Sequence, residues 1–346
     1  MKVVRFPLQA LSRFHFGLLK LDDNLALSST SLYAHSDTLF SSLMHAYASC
    51  EGEAENFAAL FAEDRLLISS LFYYLKTDSS SGENQCVYFL PKPCFLDAEN
   101  LKEKGGRHKL SNRVRFVSQG VWTAGFEAEK WEVNNPEAPY QIWSDYFVLT
   151  AGEAESLGLE GRHDFVSLVS SPKSPIRAHA NAAIFYQTDV LVDVPQSLEG
   201  GLYFIFEAAD EEAELSLRKA VNVMVYSGIG GERHNTGRSF KEEAPVWDEW
   251  IPDLTSVGGV YFSNISLFNP SNDEEFKALQ SYRTLLRGGR KIDEKSYAQV
   301  VRMIEEGALL SSSDVKGRLV SLGRDQNGCD IFRNGKSLLI PVRYEK

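Results

Sequence analysis

Apolar and polar positions along this chain change period several times, and each change marks an element. "KVVRFPL" near the start alternates, with β-branched residues, as a half-buried strand does. From His35 the period lengthens. Leu39, Phe40, Leu43, Met44 and Tyr47 recur at helical spacing, with Ser36 or Asp37 placed to cap the helix. "RLLISSLFYYL" and "CVYFLPKP" return to strand-like runs, joined by the polar turn "KTDSSSGENQ". The order so far is β-α-β-β, the first two-thirds of a ferredoxin-like unit. The completing elements come late. "GGLYFIFEA" predicts a strand, and "DEEAELSLRKAVNVMVY" a helix whose acidic first turn suits the helix dipole. A glycine-rich stretch follows, and "RSFKEE" is expected to begin the last strand. The residues from about 101 to 194, rich in charge and turn formers, predict an insertion carrying a projecting hairpin or loop. After "VWDEWIPDL" a second unit is expected, with strands in "GGVYFSNISLF", "GRLVSLG" and "KSLLIPV" and a helix "EKSYAQVVRMIEEG" ending at Gly307.

Length and composition agree with two folded modules: 346 residues, 43% hydrophobic and 12% aromatic, are enough for sizeable cores. The net charge of -11 argues against bulk coating of DNA, which relies on excess positive charge, and directs attention to local basic sites. Two stand out. "LKEKGGRHKLSNRVRF", Leu101 to Phe116, holds six Lys/Arg against one Glu, and "SGIGGERHNTGRSF", Ser227 to Phe240, holds four glycines, two arginines, a histidine and an asparagine. Cys50, Cys86, Cys94 and Cys329 have no metal-ligand spacing, which suits a reduced setting. The chain shows no signal-peptide pattern and no apolar run near the roughly 20 residues of a membrane span. A soluble, cytoplasmic protein without metal or cofactor is expected.

The glycine-rich stretch can bring bare backbone close to a ligand, and its arginines suit phosphate. It is no nucleotide-hydrolysis loop. Gly231 to Gly237 encloses the wrong number of residues for a P-loop, Arg238 replaces the lysine, and the stretch follows a helix instead of a strand. A dinucleotide fingerprint begins at Gly228 and Gly230 but meets Arg233 at the third glycine position. No nucleophile elbow occurs, adjacent Ser36 and Asp37 cannot form a triad, and the histidines show no metal-binding spacing. His15, directly after the first strand, offers either a general acid–base group for RNA cleavage or a ring that packs or stacks. The RNA-recognition-motif aromatic signature is missing, so any RNA would bind through loops and insertion.

Short motifs in order along the whole chain carry a resemblance. "HFG" at His15, "HSDTLFSSL" at His35, "ISSLFYY" at Ile68, "YFLPKP" at Tyr88, "IRAHANAAIFY" at Ile176 and "GGLYFIF" at Gly200 precede the glycine loop. "SLFNP" at Ser266, "MIEEGAL" at Met303 and "GKSLLIPV" at Gly335 follow it. This order resembles the RAMP superfamily of CRISPR proteins, specifically the family of the fourth Csm subunit of type III-A effector complexes. The resemblance implies an α+β fold of tandem ferredoxin-like (RRM-like) modules with an inserted β-hairpin thumb and a glycine-rich loop. Residues 1–245 would form the N-terminal domain, with the insertion at about 101–194 including the thumb, and residues 250–346 the C-terminal domain. It implies a non-catalytic subunit that caps the crRNA 5′ handle in antiviral defence, between the large polymerase-like signature subunit and the backbone RAMP subunit. Gly228, Gly230, Gly231, Gly237, Arg238 and Ser239 would then line the handle, with side-chain contacts from Arg233, His234 and Asn235. His15, Ser36 and Asp37 would approach from the first module, and Arg177 matches an arginine that precedes a stretch of small residues. Arg238 departs from the small residue that many members keep there. Two alternatives stay open: a metal-independent endoribonuclease that processes CRISPR repeat RNA, and a structural adaptor whose neighbours hold the RNA.

Overall fold

The computed structural model describes the chain apart from residues 20–26, 78–84, 101–111, 134, 136, 175–183, 234–235, 242–243, 250–253, 255–259, 290–297, 325–327, 329 and 345–346. Strand β1 (Lys2–Pro7), helix α1 (Ser36–Glu51), strands β2 (Phe72–Thr77) and β3 (Leu198–Ala208), helix α2 (Glu211–Ser227) and strand β4 (Val246–Glu249) follow one another in this order. In the sheet they lie β4-β1-β3-β2, each pair antiparallel, which is the ferredoxin-like arrangement. β3 reads as a continuous apolar run because it is central, and it is buried from Gly200 to Phe206. α1 turns Leu39, Phe40, Leu43 and Ala46 inward, and α2 does the same with Ala213, Leu217, Ala220, Val221 and Met224. Asp210 caps α2 by accepting from the Ala213 amide at 2.9 Å.

Several elements differ from the sequence-based expectation. The N-cap position of α1 is His35, and no side chain caps it. Ser36 and Asp37 point inward instead, held by groups from elsewhere in the chain. "RLLISSLFYYL" breaks at Ser69 and Ser70 into Leu66–Ile68 and β2, both paired with β3. Cys86–Pro91 is not the third strand of the unit but an extension beyond β2. The closing strand is Val246–Glu249, later than "RSFKEE", where Phe240 makes only an isolated bridge to Leu8. Pairing partners decided these cases, and they lie far away in sequence.

The insertion is largely packed structure. Strands Phe116–Ser118, Phe147–Thr150, Tyr140–Ser144 and Trp131–Glu132 carry the sheet onward from Cys86–Pro91, and Trp122, Trp143, Phe147 and Phe165 join the core. A hairpin of Val166–Lys173 and Phe185–Val192 completes it, and Val190–Val192 also pair with Ser12–Phe14.

In the C-terminal part, strand β5 (Tyr261–Asn264), helix α3 (Asp273–Lys277), and strands β6 (Leu279–Ser281), β7 (Leu309–Leu310) and β8 (Leu339–Val342) repeat the same strand order, β8-β5-β7-β6. A hairpin, Gly317–Arg324 with Asp330–Lys336, stands where the second helix of such a unit would be. The helix expected to end at Gly307 is not formed over Val301–Ile304, which is a strand paired with Thr284–Arg287. β-branched Val301 and Ile304 suit a pleated surface, and the cross-strand partner supplies the bonds. The main core runs unbroken from the first unit into Ile265, Leu309, Leu338, Ile340 and Val342.

Candidate nucleic-acid interface

The glycine loop leaves the C-terminus of α2 and lies along the short strand Ser12–Phe14. Main-chain bonds fasten it there. The Gly237 amide donates to the Arg13 carbonyl at 2.9 Å, the Gly231 amide to the His15 carbonyl at 2.8 Å, and the Gln9 amide to the Ser239 carbonyl at 3.0 Å. The Arg13 amide donates in turn to the Ser239 hydroxyl at 3.3 Å. Inside the loop, the Ile229 amide donates to the Gly237 carbonyl at 3.1 Å. This closeness explains two of the glycines. Gly230 has φ +89°, and a Cβ there would stand 2.5 Å from the His15 carbonyl oxygen. Gly228 has φ +80°, with Gly237 backbone 2.7 Å from where its Cβ would be. Bare backbone is required first by the loop's own docking. Gly231 is exposed, and a Cβ there would stand 3.1 Å from the His15 ring.

Guanidinium groups surround this docked loop. Arg238 is exposed and Arg233 half-buried, and neither forms an ion pair among the described residues. Arg13 joins them. Its strand alternates buried Ser12, exposed Arg13 and buried Phe14, so its side chain is solvent-facing beside the loop, also without an ion pair among the described residues. Sequence reasoning missed Arg13, although its place two positions before His15 was a usable signal. His15 lies beneath the loop and is 2% exposed. Its Nδ1 donates to the Thr188 carbonyl at 2.8 Å, and Asp189 stands 3.9 Å away. The ring is a support for the loop. Arg177, His234 and Asn235 lie outside the described residues, as do residues 101–111 of the basic run.

Ser36 and Asp37 belong to a different place, a buried polar joint between the two ferredoxin-like units. Arg287 grips Asp37 with two bonds, Nε to Oδ2 at 2.8 Å and Nη2 to Oδ1 at 2.9 Å, and Arg333 adds a third at 2.5 Å. Burial alone would raise the Asp37 pKa, but the two arginines hold it well below the usual carboxylate range. The Ser36 amide donates to the Ser70 hydroxyl at 2.7 Å, and the Leu267 amide donates to the Ser36 hydroxyl at 3.0 Å. Ser70 donates in turn to Glu306, which also accepts from Tyr33 at 3.0 Å and meets the His35 ring at 3.0 Å. Against the upward push of burial, His35 and Ser70 hold the Glu306 carboxyl low. The same surroundings, burial above all, push the Tyr33 hydroxyl far upward. No group of metal-ligating side chains occurs among the described residues.

Two tandem units of ferredoxin-like order, with a glycine loop after the last helix of the first, define the class of fold. Residues 259–342 match the family model of the CRISPR Csm4 C-terminal domain. Over its full length the chain is 21% identical to the CRISPR system protein Csm4 of Methanocaldococcus jannaschii, an alignment of 396 residues covering 100% of this chain and 99% of that relative. Its fold matches one chain of the Csm3–Csm4 subcomplex from the type III-A CRISPR–Cas interference complex, with TM-score 0.67, 16% identity and 99% and 100% of the two chains covered. A chain of the Csm1–Csm4 cassette in complex with cA4 matches with TM-score 0.59 and 15% identity over 100% and 99%. The C-terminal part of the chain is thus similar to the Csm4 C-terminal domain, and the whole chain shares the fold of Csm4 chains.

Proposed function

We propose that this protein is a non-catalytic, RNA-binding subunit of a type III-A Csm effector complex that caps the crRNA 5′ handle. It would bridge a large Csm1-type signature subunit to Csm3-type backbone subunits. The observation that carries the reading is the glycine loop fastened to Ser12–Phe14 with Arg13, Arg233 and Arg238 around it, in a chain of net charge -11. A single RNA strand offers closely spaced phosphates and splayed bases, which a docked loop ringed by guanidinium groups fits. The acidic remainder is compatible with this, because only one local surface engages RNA while others meet protein partners. The partner assignment draws on the Csm1–Csm4 and Csm3–Csm4 assemblies whose chains share this fold.

The environment of His15 supports a non-catalytic role. A general acid–base group must reach the 2′-oxygen it deprotonates. His15 is enclosed and has one ring nitrogen committed to the Thr188 carbonyl.

The test is binding of labelled handle RNA by the assembled complex across a salt series. Arg233→Ala combined with Arg238→Ala is expected to weaken binding for all handle sequences alike, and to make the salt dependence shallower by about 0.7 for each phosphate no longer neutralised. Unchanged affinity and slope would refute the loop grip. Incubation of pure protein with repeat RNA and chelator is expected to give no cleavage, and His15-dependent cutting would reverse the assignment.

A further inference from the structure

We propose that the cleft flanking the glycine loop is a nucleobase pocket, in which Tyr226 stacks on one unpaired base of the bound RNA. The inference rests on the RNA-binding reading above and assigns a site within it. The cleft measures about 630 Å³, inside the range of small-ligand sites, and is lined in part by Gln9, Asn222, Tyr226, Arg238, Phe240 and Lys241. Tyr226 projects from the last turn of α2 and is 79% exposed. Asn222 sits one helical turn earlier on the same face. Arg238, from the glycine loop itself, forms one wall, so the cleft continues directly from the docked loop.

Charge and polarity favour a base as occupant. No acid lines the cleft among the described residues, although acidic side chains outnumber basic ones in the chain by 47 to 36. Glu242 and Glu243, next in sequence, lie outside the described residues. Asn222, Val225 and Tyr226 from the end of α2 line the cleft, and the negative end of a helix disfavours a phosphate beside it. Arg238 Nε lies 3.4 Å from the Ser227 carbonyl and offsets part of it. A neutral aromatic ring beside the helix end, with its phosphate outside near Arg238 and Lys241, satisfies both constraints. The edge of the base would meet amides. The Gln9 Nε2 group already donates to the Phe240 carbonyl at 3.3 Å, leaving its oxygen as an acceptor, and the side-chain amide of Asn222 is exposed.

The experiment compares binding of a short labelled oligoadenylate with that of the same strand carrying abasic sugars. Wild type, Tyr226→Ala, Tyr226→Phe and the Arg233→Ala/Arg238→Ala double variant are titrated in parallel. Tyr226→Ala is expected to weaken oligoadenylate binding about tenfold, as loss of one base–aromatic stack does. It should leave abasic binding and the salt slope unchanged, because no charge is removed. Tyr226→Phe, which keeps the ring, should bind as wild type. The pocket is overturned if Tyr226→Ala binds oligoadenylate normally or loses affinity equally for both strands. It is equally overturned if that variant keeps RNA binding but loses a protein partner. Where the arginine double variant weakens both strands and Tyr226→Ala neither, only the pocket fails. Where wild type binds neither strand, the RNA-binding reading fails and the pocket with it.

Discussion

At Gly230 one methyl group separates a docked loop from a displaced one. Its φ of +89° is poor for any L side chain, and the His15 carbonyl occupies the space a Cβ would need. Gly230→Ala is therefore expected to cost roughly 1–3 kcal/mol, taken mostly from the loop. Because Ile229 and Phe240 fix the two ends of the loop in the main core, the melting temperature should fall, RNA affinity should drop and protease cutting between Ser227 and Phe240 should rise. An alanine variant that binds RNA as wild type does would show that the docked geometry is unnecessary. Composition alone made these glycines stand out. What it could not supply was the partner, a carbonyl more than two hundred positions earlier in the chain. The same holds for Ser36 and Asp37, whose position at a helix start suggested capping. Their real partners, Leu267, Arg287 and Arg333, come from the other end of the molecule.

Among the elements, the short strand Ser12–Phe14 does more than its length suggests. It pairs with Val190–Val192 on one side and anchors the glycine loop through the backbone of Arg13 and His15. Its alternation leaves Arg13 as the outward residue. Arg13→Ala is expected to weaken RNA binding without altering stability, and to reduce the salt slope by about 0.7, the amount for one single-strand phosphate. A slope identical to wild type would remove Arg13 from the interface. Element types are legible where periodicity is long and strong, as in α1 and α2. They are ambiguous where a short apolar run can serve either period. Val301–Ile304 carries residues that fit a helical face, yet the neighbouring strand Thr284–Arg287 offers it a ladder. Cys86–Pro91 reads as a strand from its residues, but its place in the sheet does not, since strand order depends on which edge is free once β3 has paired.

The whole molecule is tied together by buried charge. Asp37 with its two arginines, and Glu306 with Tyr33, His35 and Ser70, join the units across a core that is continuous between them. Removing one partner strands the other, so Asp37→Asn is expected to destabilise the protein by about 3–5 kcal/mol in denaturant unfolding. Both carboxyls have folded-state pKa values below their ordinary ones. Their contribution is therefore complete above the unfolded carboxylate range, near pH 4, and is lost as the pH falls below it toward the folded values. Stability measured from pH 7 to pH 3 should decline at the acid end, and Glu306→Gln or Asp37→Asn should flatten that decline. An unaltered pH profile in both variants would show that the joint does not titrate with unfolding. Asp37→Leu combined with Arg287→Met and Arg333→Met, which removes the whole triad, should cost far less than the single change.

By itself, the sequence determined the type of the long periodic elements, the glycine-rich stretch as the place where backbone must be bare, and the ordered motifs that resemble a CRISPR subunit family. Local chemistry is enough for these, because periodicity, turn residues and motif order are written over neighbouring positions. Only the tertiary structure decided what those residues touch: that His15 supports the loop from beneath, that Arg13 joins its guanidinium groups, and that Asp37 serves the joint between units. Each of these depends on contacts between residues separated by most of the chain, and the pairing of strands and the burial of charge choose such contacts only when the whole fold closes.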